Sequence, residues 1–258
     1  MLLPALFALL LGACVGSFLN VVVWRLPRGE SLLWPPSHCP HCDHRLGPRD
    51  NIPVLGWLLL RGRCRYCRGP VAVRYPVVEV VTALWFLACV LHSGPSPTTL
   101  AGWLLGSWLL ALSLIDLDTM TLPNRLTASG AILGLVWAVL PTGGPGPLAA
   151  VLGLAIGLWS LDLLGFFGTL ALGQPAMGGG DSKLAGLLGA WLGPIALVVA
   201  LFLACLSGSV YGLAGRLTGR LQRRQAFPFG PFLALGGAIA WFWGEPLAAA
   251  YWGLLTGR

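Results

Sequence analysis

The chain has 258 residues, of which 56% are hydrophobic and 10% charged, and its formal net charge is +7. Soluble domains carry about 25% charged residues, so this composition, with a mean hydropathy of +0.79, excludes an ordinary soluble globule. Long unbroken apolar runs exclude the alternating strands of a β-barrel and leave an α-helical membrane protein. Its basic excess reads as a cytoplasmic flank rather than a nucleic-acid surface.

Taken in order, the apolar runs predict about eight transmembrane helices. Span 1 covers residues 2–24. Its "LGAC" (Leu11–Cys14) is similar to a lipoprotein cleavage box, but no basic segment precedes it and the apolar run continues to Trp24, so the span is read as retained. A polar segment, 25–75, follows. Span 2 is 76–92, span 3 is 98–116, and a short polar loop leads to span 4 at 126–140. Span 5 is 147–170. The run 183–214 is too long for one crossing and is divided at Gly193-Pro194 into spans 6 and 7; a basic loop, 216–228, precedes span 8 at 230–252.

Charge counting orients this ladder. Segment 25–75 holds Arg25, Arg28, Arg45, Arg49, Arg61, Arg63, Arg65, Arg68 and Arg74, and loop 216–228 holds Arg216, Arg220, Arg223 and Arg224. With eight spans these share a side with Arg125 and Lys183, and the opposite loops carry no Lys or Arg; Arg258 alone lies there. The positive-inside rule therefore sets the basic side in the cytoplasm and both termini opposite it.

The polar segment carries two CxxC knuckles, Cys39/Cys42 in "HCPHCDHRL" and Cys64/Cys67 in "GRCRYCRGP". Two such knuckles bring four thiolates to one tetrahedral Zn²⁺. A reducing cytoplasm disfavours disulfides, and a closed four-thiolate site is structural, folding a segment too short to hold a core of its own. His38, His41 and His44 are alternative ligands. Cys14, Cys89 and Cys205 stand alone on apolar spans and read as packing residues.

Five of the nine carboxylates are informative: Glu79 at the start of span 2, Asp116 and Asp118 in "LIDLDTMTLPN", Asp162 inside span 5, and Asp181 in "MGGGDSKL". An ionisable group at membrane depth points to function. Asp116 and Asp181 are expected at the same depth on the cytoplasmic side, each beside helix-breaking sequence. Two carboxylates that meet there share a proton and suit amide hydrolysis, one taking a proton from water and the other protonating the carbonyl. The plain alternatives are helix ends at the membrane surface and an N-cap role for Asp181; a proton or cation path through Asp116, Asp162 and Asp181 is a third. "GGGDSK" is not a P-loop, because Ser182 rather than Gly precedes the lysine.

Several stretches, in order and over nearly the whole chain, resemble the prepilin peptidases, or type IV prepilin leader peptidases: "GSFLNVVVWRLPRGES", the two CxxC knuckles, "RYPVVEVVTA", "IDLDTMTLPNRLT", "GGGDSKLAGLLGAWLG" and "PFGPFLALGG". The resemblance implies a GxGD-class aspartic protease whose first catalytic residue opens D-x6-P-[DN], here Asp116 before Pro123-Asn124, and whose second closes GxGD, here Asp181. It implies cleavage of the basic leader of type IV prepilins and pseudopilins, as in type IV pilus and type II secretion systems, at the cytoplasmic face of the bacterial inner membrane. It also implies N-methylation of the new N-terminal residue with S-adenosylmethionine. Peptidase activity without methylation is one alternative; a zinc-knuckle membrane scaffold or transporter is another. Ala83, Ser182 and Asp162, the last where a neutral residue is expected, depart from the family pattern, and the chain holds no recognisable S-adenosylmethionine fingerprint. On this reading the chain divides into a first span (1–24), a Cys-rich cytoplasmic domain (25–75) and a transmembrane aspartic protease domain (76–258).

Overall fold

The computed structural model describes residues 2–141, 143–173, 178–222 and 225–256. Arg223, Arg224 and Arg258, which enter the charge count, lie outside them. The described residues are all-helical: α1 (Leu2–Arg25), a short α2 (Leu55–Leu59), α3 (Arg74–Ser93), α4 (Pro97–Thr119), α5 (Asn124–Val139), α6 (Pro147–Leu172), α7 (Gly179–Leu217) and α8 (Gly230–Thr256). The chain divides into two compact units, 1–107 and 108–258.

Six of these helices are long and apolar enough to cross a membrane: α1, α3, α4, α6, α7 and α8. The sequence reading expects eight spans, and the difference has two sources. α5 has 16 residues, which is about 24 Å of helix against a hydrocarbon core of roughly 30 Å. The run divided at Gly193-Pro194 continues as one 39-residue element, but Gly193 inside it is non-helical, at φ 72° and ψ 177°. Glycine takes that left-handed φ without a Cβ clash, and Pro194 has no amide to continue the ladder.

In the first unit α1 and α3 approach closely because α1 offers small residues. A Cβ at Gly16 would stand 2.7 Å from the Glu79 Cα, and one at Gly12 2.7 Å from the Ala83 Cα. This is the small-residue packing that membrane helices use in place of a hydrophobic drive. Asn20 Nδ2 ties the pair further by donating to the Gly16 and Tyr75 carbonyls at 3.3 and 3.2 Å. Arg25 is buried at the end of α1 and donates to the carbonyls of Ser31 and Pro35, closing the turn into the Cys-rich segment.

In the second unit the first half of α7 is the core. Leu184 to Trp191 are all buried, as expected of a helix apolar all round. α6 packs on one face through Gly153 and Gly157, whose Cβ positions would collide with the carbonyls of Gly189 and Ala185. α5 meets another face, where Trp191 Nε1 donates to the Gly130 carbonyl at 2.8 Å. α8 brings Gly237 against Leu188 and Gly244 against Ala196.

Candidate active site and metal centre

Asp116 sits in the last turn of α4 and is 5% exposed; Asp118, two residues on, is exposed. The helix ends at Met120, which turns to φ 50°, its amide still donating to the Asp116 carbonyl at 2.8 Å. Asp181 is partly buried in the first turn of α7, third after the N-cap Gly178. It is therefore not the cap itself. An anion there is favoured by the helix dipole.

The loop between α4 and α5 brings the two segments together. Leu122 packs where a Cβ on Gly180 would stand, 3.1 Å away, and Lys183 Nζ donates to Asn124 Oδ1 at 2.7 Å. Asp181 lies within electrostatic reach of Asp116. A third element completes the surroundings: the Gly230 amide, at the start of α8, donates to Asp116 Oδ2 at 2.8 Å. Residue types gave no hint of this contact, because the donor is a backbone group. Its trace in the sequence is a glycine, required because a Cβ there would stand 2.6 Å from the carboxylate oxygen. Two acidic side chains thus come from two helix ends, one of them, Asp116, held by a backbone amide.

Of the other singled-out residues, Asp162 is exposed on α6, and Glu79 on α3 is buried, its Oε2 accepting the Val54 amide at 2.6 Å. Cys89 is buried, while Cys14 and Cys205 are exposed.

The candidate metal centre is built from two copies of one turn. Cys39 N donates to the His44 carbonyl and Cys64 N to that of Gly69, each five residues on; Asp43 N and Arg68 N return to the Cys39 and Cys64 carbonyls. Each knuckle is closed by one bridge, His38 with Arg45 and Arg63 with Pro70, and turns at a residue of positive φ, Asp43 and Arg68. The sulfurs of Cys39, Cys42, Cys64 and Cys67 all lie within 4.8 Å of one another, and Cys39 and Cys67 are 3.8 Å apart. Sulfurs at about 2.3 Å from a tetrahedral Zn²⁺ stand at such separations, so the four thiols fit a metal ion. Two of the three nearby histidines make other contacts: the His44 ring packs at a tilt against Tyr66 with centroids 3.6 Å apart, and His38 Nδ1 lies 3.3 Å from the Pro36 carbonyl.

Electrostatics around the knuckles is uneven. The amides of Cys67 and Tyr66 pull the Cys64 thiol down to about 7. The His44 amide also pulls on Cys42, but burial and the Cys67 and Cys39 thiols push it up to about 12. Four adjacent thiols ionise together only with a cation among them. Asp50 braces the second knuckle: Arg65 Nε donates to it at 2.6 Å, and Tyr66 and the Gly47 amide add further bonds. The Arg65 guanidinium holds the Asp50 carboxyl below its usual range.

Comparison with known proteins identifies the family of the chain. The family model described as "Bacterial Peptidase A24 N-terminal domain" matches residues 10–93, and "Type IV leader peptidase family" matches residues 103–213. A Burkholderia pseudomallei (strain 1026b) protein, "Prepilin leader peptidase/N-methyltransferase", is 39% identical over 93% of this chain and 85% of its own. An Aeromonas hydrophila protein of the same description is 40% identical over 92% and 90%. The "Type 4 prepilin-like proteins leader peptide-processing enzyme" of Escherichia coli O78:H11 is 39% identical over 88% and 89%. No solved structure matches the chain. With identity at this level over about nine-tenths of its length, and both family models falling in order along it, the chain belongs to the type IV leader peptidase family.

Proposed function

We propose that this protein removes the basic leader from type IV prepilins and pseudopilins at the cytoplasmic face of the bacterial inner membrane, with Asp116 and Asp181 as the acid–base pair. It then N-methylates the new N-terminal residue. The observation that carries the reading is the convergence of Asp116 and Asp181 from separate helix ends, within electrostatic reach, in a chain about 40% identical to prepilin leader peptidase/N-methyltransferases.

The pair holds one proton. Its ionised member takes a proton from water, and the water oxygen attacks the scissile carbonyl carbon. The protonated member gives its proton to the carbonyl oxygen, so the tetrahedral intermediate forms without a free oxyanion. Collapse breaks the C–N bond: the leaving amine takes the proton of the protonated member, while the ionised member takes a proton from a hydroxyl of the tetrahedral intermediate as its C=O re-forms, so the pair returns to one shared proton. Gly230 holds Asp116 in place for this sequence, and the glycines before Asp181 leave room for an extended substrate backbone.

The topology we propose has eight spans, with α7 counted as two across its break at Gly193 and with both termini opposite the cytoplasm. The domains are the first span (1–24), the Cys-rich segment (25–75) and the protease region (76–258). The ion held by Cys39, Cys42, Cys64 and Cys67 is Zn²⁺, with a structural role: four thiolates close its tetrahedron and leave no position for substrate. S-adenosylmethionine, when bound, supplies an electrophilic methyl group. The residues present carry no recognisable fingerprint for it, and none is assigned to it.

The test is to incubate the purified protein with a prepilin and S-adenosylmethionine and to weigh the product. A mass loss equal to the leader, followed by gain of one methyl group that depends on S-adenosylmethionine, is expected. A prepilin of unchanged mass would overturn the reading and favour a scaffold or transporter. Glu79→Gln is the first variant to try for methylation: an unmethylated product with normal leader removal would assign Glu79 to the second activity.

A further inference from the structure

Asp162 is the intramembrane carboxylate that peptide cleavage, as described, leaves without a task. Its location follows from how α6 and α7 pack. Their small residues meet at matching intervals of four: Gly193 beside Ala149, Gly189 against Gly153, and Ala185 against Gly157. One further step of four along each antiparallel helix sets Leu161 opposite Asp181. Leu161 is buried, and Asp162, about 100° further round the helix, is exposed. Asp162 therefore lies at the level of the candidate catalytic pair, and α6 continues roughly two turns past the start of α7.

That projecting stretch walls a cleft of about 340 Å³. It is lined by Asp162, Gly165, Phe166 and Thr169 from α6 and by Gly178 and Gly179, which lead into Asp181. Asp162 is the titratable group on this lining. Among the described residues it forms no ion pair, and the basic side chain at the same helix start, Lys183, is committed to Asn124. A carboxylate at membrane depth is costly unless it faces water or a cation.

We propose that this cleft is a substrate subsite in which Asp162 receives a lysine or arginine side chain of the leader, close to the scissile bond, and so sets specificity. The inference rests on the leader-cleavage reading. Glycines on one wall let the substrate backbone approach, Phe166 covers the aliphatic stem of a long basic side chain, and the Asp162 carboxylate pairs with its charged end.

The test measures cleavage of a prepilin by the wild type, Asp162→Asn and Asp162→Lys, against substrates in which each basic leader residue in turn is replaced by Gln or Glu. Asp162→Asn is near-isosteric at an exposed position, and thermal unfolding of each variant checks its fold. For Asp162→Asn, KM should rise roughly three- to tenfold, the size expected for a partly shielded ion pair, with kcat retained. At one leader position the preference for a basic residue should vanish, and there Asp162→Lys should favour Glu. If Asp162→Asn keeps the wild-type KM and the wild-type preference at every position, the subsite is refuted and leader cleavage stands. If the wild type cleaves no prepilin at all, the underlying reading fails, and this inference with it.

Discussion

A methyl group added at Gly230 would stand 2.6 Å from Asp116 Oδ2, closer than any relaxed contact, and would displace both the carboxylate and the amide that holds it. Misplacing one member of an acid–base pair by a fraction of an ångström slows proton transfer strongly, so Gly230→Ala should lower kcat by roughly 10²-fold with KM little changed. Thermal unfolding should move only slightly, because the site is small. Retained kcat would show that Asp116 does not depend on this contact. Lys183→Met cuts the bond to Asn124 that joins the two motif segments. It should reduce cleavage while insertion into the membrane is kept, and Lys183→Arg should recover part of the loss; activity equal to wild type would leave Lys183 an anchoring role alone. At this scale the sequence was partly legible. The spacing to Pro123-Asn124 singled out Asp116 over Asp118 through family resemblance, and the structure places the first buried and the second exposed. The role of Gly230 was not legible: a glycine marks the place, but residue type does not say that its amide meets Asp116.

Among the elements, the knuckles were the most readable, since C-x2-C pairs state their ligands outright and the four sulfurs do converge. Their metal should be lost as pH falls. Thiolates bind the ion and thiols do not, so acidification protonates the ligands and releases it. Metal content measured across a pH series should drop on the acid side, with the Cys-rich segment becoming protease-sensitive in step; metal retained in Cys64→Ser at wild-type stoichiometry would exclude the four-thiolate site. Asp50 acts in the same direction. Its carboxyl is held below the usual range by Arg65, so its contribution is present above the ordinary carboxylate range and is lost as pH falls through its lowered value. The contact between α6 and α7 was harder to foresee. Apolar periodicity marks both helices but not their register, which Gly153, Gly157 and Gly189 set by permitting backbone contact. Gly157→Leu should cost about 1–3 kcal/mol in thermal or denaturant unfolding and should lower cleavage through the displaced start of α7. Unchanged stability would mean that the two helices do not pack at this point.

For the molecule as a whole, helix boundaries followed the apolar runs within a few residues, whereas the number of spans was less legible, because α5 is short and α7 is interrupted at Gly193. Sidedness rests on charge. A reporter active only outside the cytoplasm should be active when fused after residue 256 and silent when inserted in loop 216–228; the reverse pattern would invert the topology. The central claim is that Asp116 and Asp181 together hydrolyse the leader bond. Its most direct test is the rate of leader release from a prepilin by purified, folded Asp116→Ala and Asp181→Ala, read by mass spectrometry beside the wild type. Each variant should lose roughly 10²–10⁴-fold or more in rate, the contribution of a positioned acid or base, and near-normal cleavage by either variant would contradict the account.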